Sequence, residues 1–176
     1  GTEANNTAVF GAAYGRKKLG NCVITTAIEH PSVLECFKRL ENEGFDVHYL
    51  TPDSSGRISL DELDGLLNED VTLVSVMHAN NETGVIQPVD EIKAMLRSKS
   101  PKALLHCDCV QSFGKIPVEP KKWGADLISI SAHKINGFKG TGALYIKNGV
   151  TIKPLIVGGE QQREIRPGTE NLGGIA

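Results

Sequence analysis

The stretch LISISAHKINGFKGTGALY, residues 127 to 145, collapses from an apolar run into a polar turn that carries His133 and Lys134. Leu127, Ile128 and Ile130 read as a short strand buried on both sides, and GALYI from Gly142 reads as a second, so Lys134 falls in the loop between two core elements. A lysine in a loop is by default a solvated surface charge. Its neighbours suggest more. Ser131, His133, Asn136 and Thr141 supply polar groups, and Gly137, Gly140 and Gly142 let the backbone turn tightly or let another group approach. A lysine at a strand end in such company suits Schiff-base chemistry.

Working outward from this stretch, strand and helix signals alternate. After Gly1, Thr2 and Glu3 a helical pattern runs to about Lys18 with Ala8, Val9, Ala12 and Ala13 on its apolar side and Gly20 closing it. The free N–H groups at its start, Gly1 and Thr2, could cradle a phosphate, as any helix start could. Cys22 to Thr26 reads as a strand, Pro31 opens a helix with Val33, Leu34, Phe37 and Leu40 inward, and His30 lies at the junction. Phe45 to Leu50 is a further strand, and Ser59 with Glu62 forms a capping-box signature for a helix through Leu67. Thr72 to His78 is a buried strand that delivers ANNETG, where Asn80, Asn81 and Glu82 cannot all be buried cheaply. A helix over Val89 to Arg97 and a strand over Leu104 to Val110 follow, the strand setting His106 and Asp108 on one side and Cys107 and Cys109 on the other. A short helix near Pro120 to Trp123 leads back to the strand before Lys134.

This alternation predicts an α/β fold, a mostly parallel sheet with helices on both faces in three layers. Ligands bind such sheets outside the carboxyl ends of the strands. That edge is predicted to collect His30, Asn81, Asp108, Gln111 and Lys134. An aspartate that ends the apolar run LLHCD is costly to bury unless paired. Asp108 is either a helix or turn cap, or a carboxylate that keeps a heterocyclic nitrogen protonated.

The chain has 176 residues, 40% hydrophobic and 23% charged, enough for one core in one domain. No apolar run reaches the roughly 18 residues of a membrane span, and GTEANNTAVF has neither the basic start nor the apolar core of a signal peptide. A formal net charge of -2 with scattered basic residues gives no nucleic-acid or anionic-membrane footprint, which leaves small molecules or protein as partners. Four cysteines make no disulfide framework at this size, and the lack of a secretory signal favours a reducing compartment. Cys107 and Cys109 lack a second ligand pair and are expected to be core residues, not metal ligands.

In order, GTEANN, EHPSV, HANNETG, HCDCVQSFGK, SAHKINGFKGTGALY and RPGTEN resemble the large domain of the NifS-like cysteine desulfurases, class V members of the fold-type I pyridoxal 5'-phosphate (PLP) enzymes. The resemblance implies that Lys134 holds the cofactor covalently, that Asp108 faces its pyridine nitrogen, and that Gln111 meets its phenolic oxygen. It gives His30 a place stacked on the ring with a share in proton transfer, and gives Thr2, Ser131 and His133 the phosphate. Thr169 would reach the phosphate of a neighbouring subunit, which implies a homodimer, and Asn81 would contact the substrate carboxylate. Taken singly, His133 also reads as a turn histidine and Thr169 as a helix N-cap.

The implied reaction takes sulfur from L-cysteine, leaves L-alanine, and hands the sulfur to an enzyme cysteine and then to an acceptor for iron-sulfur clusters or thiolated cofactors. That cysteine, and an arginine for the substrate carboxylate, normally lie well past RPGTEN. The chain is therefore expected to be a PLP-binding large domain over 1–176, lacking an N-terminal segment and a C-terminal small domain, with weak cofactor binding and no turnover alone. Relatives also often carry a third glycine where this chain has GGEQQ at 158 to 162. The alternatives are a selenocysteine lyase or related class V aminotransferase or lyase, and an inactive binding or scaffold domain.

Overall fold

The computed structural model describes residues 1–176. Six strands form one sheet: β1 (Cys22–Thr26), β2 (Asp46–Leu50), β3 (Val71–Met77), β4 (Leu104–Asp108), β5 (Leu127–Ser131) and β6 (Gly142–Ile146). Their order is β2-β1-β3-β4-β5-β6. The first five run parallel, with Val74 beside Leu105 and Cys107 beside Ile128, and β6 returns antiparallel along β5. β1, β3 and β4 are buried along their whole length, as expected of interior strands covered on both faces, whereas the edge strands β2 and β6 are largely accessible.

Two cores sandwich the sheet. On one face α1 (Thr2–Arg16) and α2 (Pro31–Asn42) press Val9, Ala12, Phe37 and Leu40 onto Val23, Leu73, Leu104 and Leu127. On the other, α3 (Leu60–Leu66), α4 (Val89–Lys99) and α5 (Pro120–Trp123) bring Leu63, Ile92, Leu96 and Trp123 against Ile24, Val74, Val76, Leu105 and Cys107. The α/β reading holds, as does the placing of Cys107 and Cys109 in the core. The alternation along β4 is the reason: Leu104, His106 and Asp108 face α1, and the intervening residues face away.

Three local readings need correction. The first helix ends at Arg16, capped by Lys17 in right-handed geometry, so Gly20 does not close it. Gly20 is required for close approach instead, because a Cβ there would lie 2.1 Å from the Asp70 carbonyl oxygen and 2.7 Å from its carbon. Gly20→Ala is expected to destabilise the fold by about 3 kcal/mol, since backbone on both sides must shift. Urea denaturation monitored by far-UV circular dichroism will show it as a lowered midpoint at unchanged slope.

The capping box at α3 is half made. Ser59 accepts from the Glu62 N–H at 3.1 Å, but the Glu62 carboxylate accepts from the Thr51 N–H just beyond β2, a donor on the exposed sheet edge that lacks a strand partner. Thr169 is not an N-cap either: Asn171 caps α6 (Leu172–Ile175) by accepting from the Gly174 N–H.

Candidate functional site

Because β1, β3, β4 and β5 are parallel, the segments leaving them emerge along one edge of the sheet. β1 leads to His30, β3 to Asn81, β4 to Asp108 and Gln111, and β5 to Lys134. The start of α1 meets this edge as well. A Cβ on Gly1 would come within 3.0 Å of Val110 Cγ2 and 3.4 Å of Ser131 Cβ, so the helix start lies directly on the ends of β4 and β5.

Asp108 is 4% exposed, and both its oxygens are engaged. Oδ1 accepts from the Val110 N–H at 2.9 Å, the turn-capping role, and Oδ2 accepts from Asn5 Nδ2 at 2.7 Å. Burial pushes this carboxyl upward, against the Val110 N–H and the Asn5 amide, which both favour the charged form. Asn5 Nδ2 also donates to Ser32 Oγ at 2.8 Å, and Ser32 Oγ lies 2.9 Å from His30 Nδ1. One hydrogen-bonded chain therefore joins α1, α2 and β4.

His30 caps α2, with Nδ1 accepting from the Ser32 N–H at 3.1 Å. Nδ1 then carries no proton, and in a neutral ring the hydrogen sits on Nε2 of this exposed side chain. Thr2 and His30 line a common cleft of about 490 Å³ with Asn6 and Ser32. Asn81 and Gln111 line another, of about 430 Å³, with Glu82 and Lys115, and Gln111 Oε1 accepts from Lys115 Nζ at 3.2 Å. Ser131 Oγ lies 2.7 Å from His133 Nδ1, so these two form a local pair.

Lys134 lies in a 3-10 turn, Ala132–Ile135, directly after β5. Residues 133–140 are all exposed, so the glycine-rich loop leaves the lysine open to solvent. Thr169 is exposed too, and Arg166 fastens its segment to α1 through Glu3, with Nε donating to Oε1 at 2.7 Å. Neither Lys134 nor Thr169 joins the chain of bonds from His30 to Asp108.

Two participants were missed by sequence reasoning. Asn5 reads as an ordinary helical residue, and only its helical phase beneath the end of β4 marks it. Glu29 precedes His30 in EHPS and reads as the lead-in to a helix, yet it is only 4% exposed. Asn80 resolves the cost of three polar residues in succession: it is the buried one, and its Oδ1 accepts from the N–H groups of Glu82 and Thr83, both at 2.9 Å.

Asn5→Ala is expected to cost roughly 2 kcal/mol, because Asp108 Oδ2 loses its donor while buried. Asn5→Leu should cost as much despite its bulk. Chemical denaturation of the two variants checks this, since a lost hydrogen bond predicts equal penalties and a simple cavity does not.

The assembly defines a class, an α/β domain whose polar site lies at the carboxyl edge of its sheet, with the fold of the NifS-like PLP enzyme structures. The chain belongs to the aminotransferase class-V family, whose model matches residues 1–172. It is 47% identical over 175 residues to cysteine desulfurase IscS of Clostridium botulinum, covering 99% of this chain and 44% of that one. Against cysteine desulfurase IscS of Methanosarcina thermophila the identity is 46%, over 99% of this chain and 43% of that one. Among solved structures, a NifS-like protein superposes with a TM-score of 0.95 at 46% identity, covering 99% of this chain and 48% of that one. SspA in complex with cysteine superposes at 0.92 and 37% identity, covering 99% and 50%. The chain thus spans a little under half the length of the curated relatives it matches.

Proposed function

We propose that this chain is the cofactor-binding large domain of a cytoplasmic, PLP-dependent cysteine desulfurase that works as a homodimer. The observation that carries the reading is the bonded series His30, Ser32, Asn5 and Asp108, set beside a helix start at the carboxyl edge of a parallel sheet. The donor set fits the cofactor. α1 has no side-chain cap at Gly1, which leaves its first-turn N–H groups for a phosphate, with Thr2, Ser131 and His133 to complete the cradle. Asp108, held by two donors, would face the ring nitrogen, with His30 above the ring, Gln111 at its phenolic oxygen and Lys134 as the covalent anchor. PLP, when bound, supplies an electron sink for charge at the substrate α-carbon.

Asn81 would orient the carboxylate of L-cysteine, and Lys134 would carry the proton taken from the α-carbon. The complex of SspA with cysteine supports that choice of substrate. Thr169 would serve the phosphate of the second subunit. Sulfur would pass to a thiolate elsewhere in the full-length protein and then to an acceptor protein, for iron-sulfur clusters or thiolated cofactors. The four cysteines present are unsuited to that attack. All are buried, and desolvation pushes the Cys22, Cys36 and Cys109 thiols up to about 12.

The test supplies the full-length protein with PLP and L-cysteine and measures alanine and sulfide. Equal yields of the two, in the presence of a reductant that releases bound sulfur, are expected. Pyridoxamine phosphate with keto acid, and neither alanine nor sulfide, would replace this reading by transamination.

A further inference from the structure

We propose that Glu29 is a positioning residue of this site: a buried, uncharged carboxylic acid that closes the seam between β1 and β3 behind Asp108 and holds the loop carrying His30. The inference rests on the reading of the site given above. Its geometry starts from a mismatch in strand length. β1 pairs with β3 only as far as Ile24 opposite Val74, whereas β3 continues to Met77. The Glu29 side chain folds back over this gap. Its Oε1 accepts from the Met77 N–H at 2.7 Å, where a strand carbonyl would otherwise sit, and from Thr26 Oγ1 at 2.8 Å. Asn80 Nδ2 adds a bond to the Ile28 carbonyl at 3.0 Å, so the loop before His30 is tied to the end of β3 at two points.

The two oxygens of Glu29 differ. Oε1 receives two donors, and Oε2 is buried with no partner at all. A carboxylate would leave negative charge on that isolated oxygen, whereas a carboxylic acid places its hydroxyl there. The groups facing Glu29 point the same way. Asp108 on β4 repels its charge, and so would an ionised Cys107, while no cation contributes. Burial, the largest influence, pushes the Glu29 carboxyl up to about 8, with Asp108 adding to the rise and the Met77 and Thr26 donors opposing it. Of two acids in one dry seam, Asp108 has the Asn5 and Val110 donors, one on each oxygen, to favour its charged form, whereas Glu29 Oε2 has none.

The sign for stability follows. An acid near 4.5 when unfolded and near 8 when folded stabilises the fold fully below about 4.5, and that contribution is lost as pH rises towards 8. Two substitutions separate charge from shape in the full-length protein. Glu29→Gln keeps the acceptor and the volume but cannot ionise, and Glu29→Ala removes the clamp. Urea midpoints measured from pH 5 to pH 9 are expected to fall more steeply in the wild type than in E29Q. With PLP bound, wild-type kcat is expected to decline above about pH 8, E29Q to lose that limb, and E29A to drop kcat roughly tenfold with a weakened visible band.

Equal pH slopes of stability in wild type and E29Q overturn the uncharged acid. Unchanged kcat and band in E29A overturn the positioning role. If the wild type shows no lysine-dependent band, it is the cofactor reading that fails, and the stability slopes still decide whether Glu29 is neutral.

Discussion

Lys134→Ala is expected to remove the visible cofactor absorption of the full-length protein and to lower cysteine turnover by at least about a thousandfold, the scale that a positioned proton-transfer group supplies. The loss should come without damage to the fold. The 3-10 turn after β5 is defined by its backbone: Ala132 N–H bonds the Thr141 carbonyl at 3.0 Å, Gly137 N–H bonds the Ala132 carbonyl at 2.9 Å, and Asn136 sits in left-handed geometry between them. The exposed lysine side chain supports none of these contacts, so the urea midpoint should move by less than about 0.5 kcal/mol equivalent. Lys139, exposed in the same loop, is the control, and Lys139→Ala should keep both band and turnover. A wild-type band in the Lys134 variant would end the assignment.

The second large effect is on acid stability and centres on His106. This side chain is fully buried between β3 and β5, with Nδ1 2.8 Å from Ser75 Oγ and Nε2 2.9 Å from Ser129 Oγ. One ring nitrogen donates and the other accepts, so the neutral ring is satisfied and a charged ring would lack an acceptor carboxylate. Desolvation holds its pKa down at about 3. The unfolded chain binds this proton near 6.5, so the stabilisation is complete above 6.5 and is lost as pH falls towards 3.

At about 1.4 kcal/mol per unit, the fall from pH 6.5 to pH 4 should remove roughly 3 kcal/mol. His78, also buried and lowered by desolvation, adds to the same slope. Urea midpoints from pH 7 to pH 4 will show the decline. In His106→Gln the decline should be shallower, while stability at pH 7 falls by roughly 2 kcal/mol because a flexible amide cannot span both serines as the ring does. A His106→Gln protein as acid-sensitive as the wild type would contradict this.

Much of the architecture could be read before any coordinates, for definite reasons. Strands such as VTLVSVM and LLHCD are apolar on both faces and short, which only the interior of a helix-covered parallel sheet accommodates. Pro31 and the polar break at EHPS mark a strand-to-helix junction by covalent geometry alone. The site was legible only where a polar residue ends an apolar strand, as at Asp108, since burial there demands a partner. Glu29 and Asn5 carry no such signal. One looks like the lead-in to a helix and the other like a helical surface residue, and their importance arises from neighbours 48 and 103 positions away.

Sequence alone therefore determined the order of strands and helices, the α/β class, and the edge at which His30, Asn81, Asp108, Gln111 and Lys134 emerge, because periodicity and strand direction are local properties. Tertiary structure decided which polar atoms meet: that Asn5 bridges Asp108 to Ser32, that Glu29 fills the gap where β1 turns away from β3, and that Gly20 must lack a side chain beside Asp70. Those pairings depend on how far each strand extends and on how the helices sit across the sheet. Both are set by packing among residues distant in the chain.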